Sequence, residues 1–207
     1  MISAFLYGAL LAFGLILPLG PQNMFVLSQG SNTCRFTHAL PAIITASLCD
    51  TLLILLASMG ISLFILQHQW VAEILLIAGI LFLTYLGTTL WFGAKKGEGP
   101  VVSKKIFSAK KQIIFCASVS ILNPHAILDT VAVIGVNAVL FKGSAHTAFT
   151  VACILISWLW FLSLALFGKW ISRFTQFKFY QDRISALVIW FSALNLLYRL
   201  FEMLRVL

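Results

Sequence analysis

Two carboxylates in this chain stand where carboxylates are expensive. Asp50 and Asp129 alone among the six acidic residues fall deep inside long apolar stretches. An ionised side chain there costs on the order of 2.5 to 3.5 kcal/mol even on the gentlest insertion scale. All fourteen Lys and Arg lie in polar connections or near the end of the last apolar stretch, so none can pair with them in mid-span. The missing cation is then a substrate or a proton. The competing reading of either residue is a protonated carboxyl hydrogen-bonded to a neighbouring helix, with no transport role.

Proline places further polar groups at the same depth. The first apolar stretch is interrupted by Leu17-Pro18-Leu19-Gly20-Pro21-Gln22-Asn23, and the fourth by Leu122-Asn123-Pro124-His125. Pro18, Pro21 and Pro124 each remove a backbone donor and clash with the preceding turn, and Gly20 loosens the first break further. Amide and carbonyl groups are thereby freed where only protein, water or substrate can satisfy them. Paired breaks of this kind are the best sequence pointer to a binding site at mid-membrane, whereas a lone break would be read as a structural kink. Gln22, Asn23, Asn123 and His125 stand beside the two breaks. Asp129 follows Pro124 by little more than one turn, with the Thr130 hydroxyl next to it. His125 suits either a proton relay or a hydrogen bond to a freed carbonyl. Asp50 shares a helix face with the small residues Ala46, Ser47, Ala57 and Ser58, the pattern of close helix packing.

The elements that must position these groups are apolar spans. Of the 207 residues, 61% are hydrophobic and 10% charged, and the mean hydropathy is +1.01, more than one soluble core can hide. The spacing predicts an all-α integral membrane protein with about six spans, near residues 2–28, 40–66, 71–94, 113–141, 147–168 and 184–201. The last carries Arg199, Glu202 and Arg205 and either spans with snorkelling arginines or lies in the interface; its uninterrupted apolar run favours spanning. The first span has no Lys or Arg before it and is expected to be a retained helix rather than a cleaved signal.

With six spans, loops 29–39, 95–112 and 169–183 share one side and hold eleven of the fourteen Lys and Arg. The positive-inside rule puts these loops in the cytoplasm and both termini outside. Residues 95–112, the one long polar connection, are expected to form a basic cytoplasmic linker between three-span halves at 1–94 and 113–207. An odd number of spans per half makes the halves inverted repeats, each with its first helix broken at proline. Cys34, Cys49, Cys116 and Cys153 lack zinc-ligand spacing and read as small buried residues. No metal site or cofactor is expected. The basic excess lies in loops rather than on a soluble platform, so nucleic acid is not an expected partner. Trp158 and Trp160, near the middle of their span, suit core packing better than a cation-π wall.

The strings Pro18-Leu19-Gly20-Pro21-Gln22-Asn23, Cys49-Asp50 and Asn123-Pro124-His125-Ala126-Ile127-Leu128-Asp129-Thr130 together resemble the LysE family of amino-acid exporters. The likeness covers nearly the whole chain, and the last string is its most specific part, similar to the arginine and lysine branch of ArgO type. The resemblance implies a secondary transporter of a bacterial inner membrane, not an enzyme. It would export L-arginine, L-lysine or close analogues, driven by proton entry or membrane potential. In that reading Asp50 and Asp129 bind the substrate cation or exchange protons, while Asn23, Asn123 and the broken backbones hold the amino-acid head group. A basic amino acid and the bilayer are the expected partners, and a homo-oligomer is compatible with the sequence. Two rivals remain: a divalent-cation exporter of the same superfamily, which would need more ligands, and an intramembrane aspartyl enzyme.

Overall fold

The computed structural model describes residues 1–18, 20–32, 36–61, 69–93, 108–121, 127, 130–172 and 175–205, and every regular element among them is helical. Helix α1 spans Ile2–Ile16 and α2 spans Pro21–Asn32, and they bend by 83° across the break. A 3-10 turn, Phe36–Ala39, leads into α3, Leu40–Leu56, which closes in a π turn at Ala57–Ile61. Helix α4 covers Gln69–Gly93 and α5 covers Ala109–Ile121. A second π turn, Thr130–Gly135, runs into the single-turn α6, Val136–Ala138, and then come α7, Ser144–Ile171, and α8, Thr175–Arg205. Helix α5 therefore starts within the expected linker and takes in residues 109–112, while residues 95–107 lie outside the described part.

Among the described residues three helical stretches, Phe36–Gly60, Ser144–Ile171 and Arg183–Glu202, are long and apolar enough to cross a membrane, and the bent pair α1 and α2 qualifies as a fourth. The terminal stretch is thus a helix of spanning length.

The break in the first span follows from its prolines, and one side chain repairs it. Pro21 can open α2 because the first helical position needs no donor. Carbonyls at the end of α1 lose the amides a continuous helix would bring. The Asn23 side-chain nitrogen replaces them, donating to the Ile16 carbonyl at 3.2 Å and to the Pro18 carbonyl at 3.0 Å. Helix α2 is buried from Pro21 through Ser31 despite its polar sequence, enclosed by its neighbours rather than laid on the surface.

Small residues allow that enclosure. Ala4, Gly8 and Ala12 are the buried face of α1, a stripe with one small residue per turn, and it packs on α7. Helix α2 lies against the same helix: a Cβ on Gly30 would collide with the Ala165 carbonyl, and one on Gly168 with the Leu27 carbonyl. Ala46, Ser47, Ala57 and Ser58 are buried as their spacing predicts, and α3 packs on both α5 and α7. Helices α4 and α8 pair with each other, with Gly87 seated against the Trp190 ring.

Two outcomes test this packing. Asn23→Asp keeps the shape but removes both donors, and each carbonyl left unpaired costs about 1–3 kcal/mol; thermal unfolding in detergent should drop by several degrees, whereas an unchanged midpoint would show that other donors serve the break. Gly30→Leu should abolish the monodisperse gel-filtration peak, while Gly14→Ala, whose new methyl meets nothing within 4 Å, should leave it intact.

Candidate functional site in a cavity at the first helix break

A cavity of about 640 Å³ opens where the break meets α3, the second π turn, α7 and α8. That volume suits a small-molecule ligand. Pro18, Gly20, Pro21, Gln22 and Asn23 line it from the break, so the N-terminal turn of α2 faces its interior. Asp50 and Ile54 come from α3, Thr130 and Ile134 from the π turn, and Cys153, Ser157 and Phe161 from α7. Every predicted site residue that the structure describes is on this wall. Asn123, Pro124, His125 and Asp129 lie outside the described residues.

Asp50 is the one charged residue among the described residues lining the cavity, and it is half-buried. Two neutral donors hold it: Gln22 Nε2 donates to Oδ1 at 3.3 Å, and the Ser157 hydroxyl to Oδ2 at 3.0 Å. Gln22 Nε2 also lies 3.4 Å from the Ala46 carbonyl, tying the start of α2 to α3. One residue further along both helices, Trp158 Nε1 donates to the Thr51 hydroxyl at 3.0 Å, making a second polar rung between α7 and α3. These partners fix the carboxylate without neutralising it. A cation entering the cavity would find a preorganised counter-charge, and a guanidinium could engage both oxygens at once.

Asn23 serves the break itself. Its two amide hydrogens serve the Ile16 and Pro18 carbonyls, so what it can offer a ligand is its oxygen, an acceptor suited to an ammonium rather than a carboxylate. Trp158 and Trp160 are not among the lining residues. The Trp158 ring is partly exposed, and Trp160 packs edge-on against Phe13, 5.9 Å between ring centroids. Cys116 and Cys153 are buried and Cys49 half-buried, all as free thiols. Among the described residues no group of three or more His, Cys, Asp or Glu could hold a metal ion.

Sequence reading overlooked two parts of this wall. Ser157 was passed over, although Thr150, Cys153 and Ser157 form a small and polar stripe at helical spacing on the buried face of α7. Ser192 and Asn195 line the cavity from α8, two polar residues spaced one turn apart in an otherwise apolar run.

Known proteins resemble this chain along nearly its whole length. The family model described as LysE type translocator matches residues 13–200. A candidate amino-acid transporter of Bacillus subtilis, YisU, is 42% identical over 194 residues, covering 92% of this chain and 87% of its own. The arginine exporter protein ArgO of Pectobacterium carotovorum is 33% identical over 95% of this chain and 97% of its own. ArgO of Escherichia coli is 30% identical over 95% and 94%. No solved structure matches. With nearly its full length matched and its broken first helix facing a charged cavity, the chain belongs to the LysE family of translocators.

Proposed function

We propose that this protein exports basic L-amino acids, arginine and lysine foremost, from the cytoplasm across the inner membrane. The observation that carries the reading is Asp50, a lone charge on the described cavity wall, held by neutral donors beside a broken helix. A distal guanidinium or ammonium supplies its counter-charge, and the amino-acid head group lies toward the break, where the first amides of α2 attract a carboxylate. The names of the ArgO relatives support an arginine-like substrate. Asp50 would exchange its cargo for a proton on the outer side, coupling export to proton entry or to membrane potential. Asp129, Asn123 and His125 would complete the site from the second break.

The helix pairings support two inverted three-span halves, 1–94 and 113–207, joined by a basic linker. Exchanging the halves turns the packing of the first span (α1 and α2) on α7 into that of the fourth span (α5 and α6) on α3. It leaves α3 against α7 and α4 against α8, and all four pairings occur, the fourth span meeting α3 mainly through α5. Asp50 and Ser157 then meet close to the pseudo-two-fold axis.

Three contacts also support a common side for the basic loops. Gln112 Nε2 donates to the His38 carbonyl at 2.9 Å, the Lys169 ammonium lies 6.0 Å from the Phe36 ring centre, and the Arg183 guanidinium lies 5.9 Å from that of Trp91. Each joins segments at or beside two of the three loops. The positive-inside rule makes that end cytoplasmic and places both termini outside.

Asp50→Asn should reduce efflux of radiolabelled arginine from loaded vesicles by at least about a hundredfold, the order expected when a buried charge loses its partner. Insertion and gel-filtration behaviour should stay as in the wild type; undiminished efflux would refute the site. A C-terminal reporter active only outside the cytoplasm should be active, and an inactive one would refute the proposed topology.

A further inference from the structure

Among its described lining residues the cavity is charged at one place, yet an amino acid zwitterion brings a carboxylate as well as cations. Hydrogen-bond accounting shows which side chain is available to receive it. The Gln22 amide is committed to Asp50 and Ala46, the Asn23 amide hydrogens to Ile16 and Pro18, and the Ser157 hydroxyl to Asp50. The Ser192 hydroxyl donates to the Val188 carbonyl one turn back, at 3.0 Å. Among the described lining residues, that leaves the Thr130 hydroxyl and the Asn195 amide uncommitted.

Asn195 is the stronger of the two. Its amide can give one hydrogen to a carboxylate and keep the other for a second acceptor, whereas Thr130 offers a single hydrogen that a helical hydroxyl commonly spends on its own backbone. It is the only Asn or Gln in the apolar stretch Arg183–Glu202 of α8, where a primary amide without a partner is costly. It also stands on a different element from Asp50, so the two could engage opposite ends of one ligand.

We propose that Asn195 is a specificity-determining residue of the transport site, donating its side-chain amide to the substrate α-carboxylate alongside the first amides of α2, while Asp50 holds the distal cation. The inference rests on the reading of this cavity as a basic amino-acid site and adds to it a means of selecting amino acids over amines. Helix α8 packs chiefly on α4, so a carboxylate held by Asn195 would also draw that pair toward the bundle that carries Asp50.

Competition against labelled arginine in proteoliposomes tests this, with arginine and agmatine as probes; agmatine is the same molecule without the carboxylate. In the wild type, arginine should compete more strongly than agmatine. In Asn195→Leu its competition should weaken about tenfold or more, the loss of a hydrogen bond to a charged group. Agmatine should change by less than about twofold, which also shows that the variant is folded. Should Asn195→Leu not elute as folded protein, Asn195→Ala carries the same test. Arginine competition that is unchanged in a folded variant, or that weakens in step with agmatine, overturns the inference alone. A wild-type protein that takes neither probe overturns the reading of the cavity and this inference with it.

Discussion

A chain that breaks a helix inside a membrane must supply new partners for the backbone groups it releases, and most of this structure can be traced to how that demand is met at Pro18 and Pro21. The Asn23 amide meets it, reaching back to two carbonyls at the end of α1. That bond pair fixes the start of α2, and with it the direction in which the first amides of α2 point. Gln22, on the same turn, then reaches α3 and takes hold of Asp50. The polar helix α2 can exist only if it is wrapped, and the small residues on α1, α2 and α7 let the wrapping helices approach to backbone contact.

The same demand explains why the carboxylate is tolerable. Asp50 has no basic side chain beside it among the described lining residues; neutral hydroxyl and amide donors orient it and leave its charge uncompensated. A permanent Lys or Arg partner would make a poorer transporter, because the substrate cation would have to displace it. In the proposed function a basic amino acid would satisfy this unfilled electrostatic demand, and its departure would be coupled to whatever next neutralises the oxygen atoms.

Much of this was legible in the sequence because bilayer chemistry makes exceptions conspicuous. An aspartate in an apolar run, a Pro-Leu-Gly-Pro string in a helix and a face of small residues each violate the local pattern and each marks a real feature: Asp50, the break and the packing of α3. What stayed hidden had ordinary residue types. Ser157 and Ser192 are among the many serines that membrane helices carry, and serine usually bonds its own backbone one turn back, as Ser192 does. Only the packing of α7 against α3 shows that Ser157 instead serves Asp50. The donor commitments of Asn23 stayed hidden too, since they depend on coordinates that spacing does not encode. The 83° turn between α1 and α2 was equally out of reach, because proline dictates that a helix stops and tertiary packing dictates where the next one goes.

The central claim is that a basic amino acid occupies the cavity beside Asp50, and site-specific protection measures this most directly. Leu187 lines the cavity and is 54% exposed, so Leu187→Cys places a reactive thiol at the wall without touching any polar contact described above. Alkylation at that position, followed by mass spectrometry, should slow as arginine is added and saturate over the concentration range that saturates transport, with alanine giving no protection. Labelling that proceeds at the same rate while arginine saturates transport would contradict the account.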